Sequence, residues 1–494
     1  MPIREKGCFC FAKAMVILMR INTLSIIISL ALICGIVSCG DNTTPEVTTA
    51  VNSDTTVETT GGGIPELPER DLEGFTLSMG KPVQANVAWS TITFAPAEEN
   101  GEILNDAIHR RNTAMCEKYG FELVELELDN PLNTLNQQNL AGDTEFDIFM
   151  IPLNKVNSIA NSDNLVDFHD IPNLELSGEW WDQDMIRDLD IGGGQYFMNG
   201  DVIFTVYDCL RVIMYNKGYA EDLKLDGFYE LVDSGDWTVD KMYEYMQLAA
   251  VDLNSDGRMD YQDVFSLMYN TNSYAAYLTS QNVKLIDADG NLGVFDERFN
   301  KAYENILKIF DRNLVFHYND DKYPGLDARQ AIVTMFDNKQ ALFFENGMSA
   351  AAQYMRDVQN VDFGFLPLPK LDAAQDKYYS YVSVSAPVLC VPVTNTDRLA
   401  DTGFVLEALC RESSKSVVPE YFETCFSSKY THDEESYDMI LLATESRMYD
   451  LGIIFDYGKI LTTITNAAKA GDAAITSKLE SIREAVVAEF NENR

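Results

Sequence analysis

Phe146-Asp147-Ile148-Phe149-Met150-Ile151-Pro152 is the stretch that decides the fold of this 494-residue chain. Only Asp147 interrupts the apolar run, and Pro152 closes it. A short apolar run ended by proline reads as a strand covered on both faces, and such strands sit inside α/β layers. Upstream, residues 121–128 read as a second strand and residues 83–89 as a first. Between them, residues 105–119 are helical in pattern, with Ile108, Met115 and Cys116 on one side and Gly120 as the C-terminal stop. Downstream, residues 202–215 are strand-like, 238–250 and 297–312 helical, 342–344 and 363–369 short apolar strands, and 399–411 and 467–491 amphipathic helices. Strands alternating with helices predict parallel α/β topology. More than four hundred residues follow Leu72, which exceeds one typical core and predicts two lobes. No repeat of solenoid period is present.

The N-terminus carries an export pattern. Arg4, Lys6, Lys13 and Arg20 precede an uncharged run over residues 21–37, which ends in Ile36-Val37-Ser38-Cys39. This reads as a lipobox: small Ser38 suits cleavage, and the thiol of Cys39 takes a diacylglyceryl group. Residues 1–38 are then a lipoprotein signal peptide and 39–71 a lipidated Thr/Gly-rich tether, too poor in large apolar residues to fold. The expected location is the extracellular face of the cell membrane, with the membrane touched through the lipid alone. A retained membrane anchor is the competing reading, and the start could be Met1, Met15 or Met19.

Charge narrows the partners. Lys and Arg number 37 against 77 Asp and Glu, a net charge of −40. Phosphate backbones need clustered cations, so nucleic acid is excluded, and direct adhesion to anionic lipid is disfavoured. Cys116, Cys209, Cys390, Cys410 and Cys425 are widely spaced and form neither a disulfide scaffold nor a zinc pattern.

Several segments, in order, resemble the extracellular solute-binding proteins of bacterial ABC importers (family 1, maltose-binding-protein-like, lipoprotein type). Phe146-Asp147-Ile148 is similar to the family's Tyr/Pro-Asp-Val/Ile strand, and Val212-Ile-Met-Tyr-Asn216-Lys217 to its Leu-Tyr-Tyr-Asn-Lys strand. Asp236-Trp237-Thr238-Val-Asp240 resembles Thr-Trp-Asp-Glu, Phe336-Asp-Asn338-Lys339-Gln-Ala341-Leu342 resembles Phe-x-x-Gly-Lys-x-Ala-Met, and residues 363–369 resemble Tyr/Phe-Gly-x-x-Pro-x-Pro. Asn338 stands where glycine is usual, and residues 251–295 carry an insertion. The resemblance implies a two-lobed, type II periplasmic-binding-protein-like fold, each lobe a mixed sheet flanked by helices and joined by hinge strands. Lobe 1 is expected at 72–206 and 366–396, lobe 2 at 207–365 and 397–494. It further implies a monomeric, non-enzymatic receptor that captures a carbohydrate, expected to be an oligosaccharide, and hands it to ABC permease subunits. A surface glycan-binding or sensor lipoprotein without a transporter, and a secreted glycoside hydrolase, are the alternatives.

Within the insertion, residues 252–263 match an EF-hand-like calcium loop. Asp252, Asn254, Asp256, Asp260 and Asp263 place side-chain oxygens at loop positions 1, 3, 5, 9 and 12, with Gly257 at 6 and the carbonyl of Arg258 at 7. Hard oxygen donors at this spacing suit a structural Ca2+; an acidic turn without metal is the other reading. Asp263 stands where glutamate usually binds with both oxygens. Asp287-Ala-Asp289-Gly290-Asn291 reads instead as a hairpin turn.

Carbohydrate clefts stack aromatic faces on sugar CH faces and give polar groups to hydroxyls. The candidate ligand residues are Trp89, Trp180, Trp181, Tyr207, Asp208, Glu345, Asn346, Tyr379 and Tyr381. Gly-x-Ser-x-Gly, His-Glu-x-x-His and phosphate-loop patterns are missing, and the four histidines lack metal spacing.

Overall fold

In the first sheet, β1 (Phe75–Pro82) pairs in parallel with both β2 (Phe121–Leu128) and β3 (Ile148–Pro152). The computed structural model describes residues 64–161, 163–424, 431 and 433–492. The expected signal peptide, its Cys39 and the expected tether up to residue 63 lie outside the described residues. β1 is not where the periodicity put it. The alternating Phe75-Thr-Leu-Ser-Met-Gly-Lys run forms the strand, Pro82 ends it, and Gln84–Val87 is a 3-10 turn. The helix Ile103–Tyr119 stops at Gly120 in the left-handed conformation (φ 68°), where glycine carries no Cβ penalty.

The second sheet collects β4 (Arg211–Asn216), β5 (Phe265–Tyr269), β6 (Val315–His317), β7 (Ala341–Gly347) and β8 (Phe363–Leu366) in the order β6-β5-β7-β4-β8. β5 runs parallel to β6 and β7, whereas β4 is antiparallel to β7 and β8. β9 (Ser380–Tyr381) later pairs with β11 (Arg447–Met448), and between them β10 (Pro387–Cys390) returns antiparallel to β3. Each lobe is thus a mixed sheet. The residues 202–215 divide into a helical turn, Thr205–Asp208, and β4. The stretch 467–491 is two helices, Ile460–Lys469 and Ile475–Glu492, broken at Gly471 (φ 64°).

Two of the segments that cross between the sheets lie side by side: Leu210 bridges Val382, and the Ser383 N–H donates to the Cys209 carbonyl at 3.0 Å. This revises the expected boundaries. Residues 366–378 stay beside the second sheet, where the Trp237 Nε1–H holds the Pro367 carbonyl (2.9 Å) and the Tyr378 hydroxyl holds the Val232 carbonyl (3.1 Å).

The helix Leu399–Pro419, expected on lobe 2, packs on the first sheet instead. Phe404 sits edge-on to Tyr119 at 5.1 Å, and Arg398 pairs with the buried Asp147 at 2.6 Å. Residues 64–71, expected in the tether, belong to the folded body instead. Ile64 and Leu67 pack on the core, and Arg411 donates to the Pro65 carbonyl at 2.9 Å. Beyond that helix, Glu434–Thr444 returns to the second sheet, where the Ser436 hydroxyl accepts the Phe365 N–H at 3.1 Å.

Glu407 anchors this helix. Its fully buried carboxylate accepts the Trp181 Nε1–H (2.9 Å) and the Glu175 N–H (3.2 Å), and pairs with Arg411 (2.7 Å). Glu407→Ala would leave these donors without it, at a cost of about 2–4 kcal/mol. Urea unfolding should register that loss; one below about 1 kcal/mol would contradict the anchoring role.

Candidate functional site

Parallel strands present their C-terminal ends at one edge, and in open α/β sheets that edge is where ligands bind. Here both sheets turn that edge to the same space. Asp129 and Asn130 follow β2, and Pro82 and Pro152 end β1 and β3. Asn270 follows β5, Tyr318 follows β6, and Asn346-Gly347 ends β7. Trp89, beyond the 3-10 turn, stands among three hollows of about 390, 290 and 490 Å³, and is 41% exposed. Gln84 fixes its approach by donating from Nε2 to the Ser90 carbonyl at 2.8 Å. An exposed indole face is the surface on which a sugar ring stacks.

The central hollow lies at the crossing segments. Asn270, Asn272, Tyr318, Asn346, Ser349 and Ser385 are among its polar walls. At its base Arg211 forms a two-pronged pair with the fully buried Glu345: Nε to Oε1 at 2.5 Å and Nη2 to Oε2 at 2.8 Å. Burial alone would lower the Arg211 pKa; the Glu345 carboxylate more than reverses it and holds the guanidinium charged. Ser273 donates its hydroxyl to Glu345 as well. Gly347 permits the close approach, because a Cβ there would stand 2.8 Å from the Asp208 carbonyl.

Asp208 borders two of the hollows and accepts from the Thr91 N–H and, at 2.8 Å, from the Tyr421 hydroxyl. Burial pushes its carboxyl up. Two hydrogen bonds close the lobes over Trp89: Ser349 Oγ–H to the Trp89 carbonyl (2.7 Å) and Gln353 Nε2–H to the Ala88 carbonyl (2.9 Å).

Of the expected ligand residues, Trp89, Asp208 and Asn346 line the hollows at the crossing. Glu345 lies behind them, its oxygens taken by Arg211 and Ser273. Trp180 and Trp181 are not in the cleft. Both are buried on lobe 1, Trp181 bound to Glu407 and Trp180 beneath the Arg411 guanidinium at 4.3 Å. Tyr207 packs against Phe204, Tyr421 and Phe422 and donates to Asp201 at 3.3 Å. Tyr379 lies near Asp376 and Lys377 at the surface, and buried Tyr381 borders a separate hollow beside Asn466 and Lys469. Arg211, Asn270, Asn272, Tyr318, Ser349 and Gln353 were not singled out in the sequence. For Asn270 and Tyr318 a signal existed: each is a polar residue directly after a short apolar strand.

In the 252–263 loop, Asp252 accepts the Ser255 N–H (2.7 Å) and the Gly257 N–H (2.9 Å). Ser255 and Gly257 take φ of 58° and 80°. Asp263, fully buried, accepts the Leu253 N–H (3.0 Å) and Asp260 N–H (2.8 Å). Asn254 and Asp256 bind the N–H two residues on, at 2.9 Å each. Among the described residues no three Asp, Glu, His or Cys side chains converge as a metal-holding group. The loop is closed at its neck by the Val251–Val264 bridge, and 287–291 is the hairpin turn expected, with Ile286 bridging Leu292. Cys116, Cys209, Cys390 and Cys410 are free thiols.

Removing both closing hydrogen bonds with Ser349→Ala and Gln353→Ala should shift the lobes toward an open form, since each bond contributes up to about 1 kcal/mol. Small-angle scattering should show a larger radius of gyration. An unchanged profile would mean that other contacts hold the lobes.

No protein-family sequence model matches the chain, and no curated protein sequence matches it. Solved structures do. The cyclic alpha-maltosyl-1,6-maltose binding protein from Arthrobacter globiformis superposes with a TM-score of 0.57 at 14% identity, over 85% of this chain and 100% of that one. The sugar-binding protein MalE from Xanthomonas citri gives 0.54 at 11% identity, over 84% and 98%. A family 1 extracellular solute-binding protein from Bifidobacterium longum subsp. infantis gives 0.50 at 14%, over 85% and 99%. The chain therefore has the two-lobed α/β fold of the family 1, MalE-like solute-binding proteins.

Proposed function

We propose that this protein is the solute-binding receptor of an ABC importer, taking up an oligosaccharide between its lobes and presenting it to permease subunits. The observation that carries this is the pairing of an exposed indole, Trp89, with amide and hydroxyl walls at the C-terminal edges of both sheets. Apolar face plus neutral polar wall is the chemistry that recognises a pyranose. Two of the similar folds belong to a cyclic alpha-maltosyl-1,6-maltose binding protein and a sugar-binding protein, both described as binding proteins rather than enzymes. Asp208 and Glu345 are engaged by protein donors, which suits positioning better than acid–base work on a glycosidic bond. The receptor acts as a monomer on the extracellular face, held through lipid on Cys39. Among the described residues no helix is long and apolar enough to cross a membrane.

Purified residues 64–494 should be stabilised by at least one member of a panel of neutral di- to tetrasaccharides. At a ligand concentration 100 times Kd the gain is about 2.7 kcal/mol, a visible thermal shift. No shift across the panel, or cleavage of the sugar that binds, defeats the proposal. Palmitate labelling of the full chain, lost in Cys39→Ser, tests the anchor.

The 252–263 loop is proposed to take one structural Ca2+ through Asp252, Asn254, Asp256, Asp260, Asp263 and the Arg258 carbonyl. The spacing, the left-handed Ser255 and Gly257, and the buried Asp263 support it. Calcium removal should lower the melting temperature and calcium should restore it. An identical melting curve with chelator and with calcium counts against the site.

A further inference from the structure

The Arg211 guanidinium does more than neutralise Glu345. Having only N–H donors, it fixes how two neighbouring amides must face. Its Nη2 donates to Asn270 Oδ1 and its Nη1 to Asn346 Oδ1, each at 3.3 Å. A second donor confirms each orientation: the Asn272 N–H reaches Asn270 Oδ1 at 2.9 Å, and the Gly347 N–H reaches Asn346 Oδ1 at 2.8 Å. Both amides are therefore forced to turn their NH2 groups the other way. Both NH2 groups then point at one atom, the hydroxyl oxygen of Tyr318.

A phenol oxygen that accepts two N–H groups has its acceptor capacity filled, and its own proton must be donated elsewhere. Among the described residues, no hydrogen bond gives that proton an acceptor. Tyr318 is 7% exposed and borders the central hollow together with Asn270, Asn346 and Arg211. Its ring is held by Phe344, edge-on at 6.0 Å. Burial keeps the phenol from ionising, so it is a donor across the physiological pH range.

We propose that Tyr318 is a specificity-determining donor of the cleft, an O–H aimed by the Glu345–Arg211–Asn270/Asn346 relay at an acceptor oxygen of the bound saccharide. This rests on the receptor reading above and adds to it a particular demand on the sugar. At the position facing Tyr318 the ligand must carry a lone pair on an exocyclic oxygen, a hydroxyl or its O-methyl ether. A deoxy position there would leave a buried donor without a partner.

The test uses calorimetric titration of wild type and Tyr318→Phe with the best-binding member of a malto-, cello-, manno- and xylo-oligosaccharide panel, and with its monodeoxy and mono-O-methyl derivatives. Wild type should tolerate the O-methyl derivative at one sugar position but bind the deoxy compound of that position roughly 10- to 100-fold more weakly. Tyr318→Phe should bind the parent sugar weakly by a similar factor, and should no longer distinguish parent from deoxy at that position. Equal binding of the parent sugar by both proteins overturns the donor role while leaving the receptor intact. So does a wild type that accepts every deoxy derivative equally, a result that needs no variant to fold. Failure of wild type to bind any panel sugar falls instead on the receptor reading itself.

Discussion

A guanidinium and a carboxylate shut away from water at the base of a cleft constrain everything around them. Neither charge could be buried there alone at small cost, since an uncompensated buried charge costs several kcal/mol. Their two-pronged contact fixes the β4–β7 register, in which Ile213 faces Glu345 and Arg211 faces Gly347. That register sets the turn after β7, where Ser349 reaches the backbone of Trp89. It also sets the point at which β4 leaves the crossing segment beside Val382. The same charges, propagated through two asparagine amides, decide which groups in the hollow donate and which accept. A cleft built this way meets its ligand with neutral dipoles, although the chain as a whole carries a net charge of −40.

Much of the architecture could be read from the residues because local patterns and tertiary environment agreed. The apolar β3, the β2 run from Phe121 to Leu128 and the helix ending at Gly120 are all of that kind. Where the reading failed, a local signal was ambiguous or a distant partner decided. The 83–89 segment has strand-like alternation, but Pro82 and the Gln84 side chain close it into a turn. The helix Leu399–Pro419 has no sequence mark of which lobe it will cover. Arg398 finds Asp147, and Glu407 finds Trp181, only after the chain has crossed twice.

The site was partly legible for the same reason. Asn346 closes β7 and Trp89 stands beyond the turn after β1, both at the edge where ligands meet such sheets, and position alone nominates them. Trp180 and Trp181 look like stacking residues because they sit among acids, yet Glu407 and Arg411, more than two hundred residues away in sequence, take both into lobe 1. Tyr318 is one of 24 tyrosines, and its place directly after β6 nominates it without showing what it does. Its role arises from hydrogen-bond directions that four other residues impose.

The central claim is that two lobes hinge at Cys209–Leu210 and Val382–Ser383 and close on a saccharide. Distances between spin labels on Leu140→Cys in lobe 1 and Leu248→Cys in lobe 2 test it most directly, since both sites are well exposed, at 89% and 54%. Without sugar the distance distribution should be broad or two-peaked. With a saturating sugar it should collapse to one narrow population, because ligand touching both lobes favours the closed form by its differential affinity. An identical distribution with and without a sugar that calorimetry shows to be bound would contradict the account.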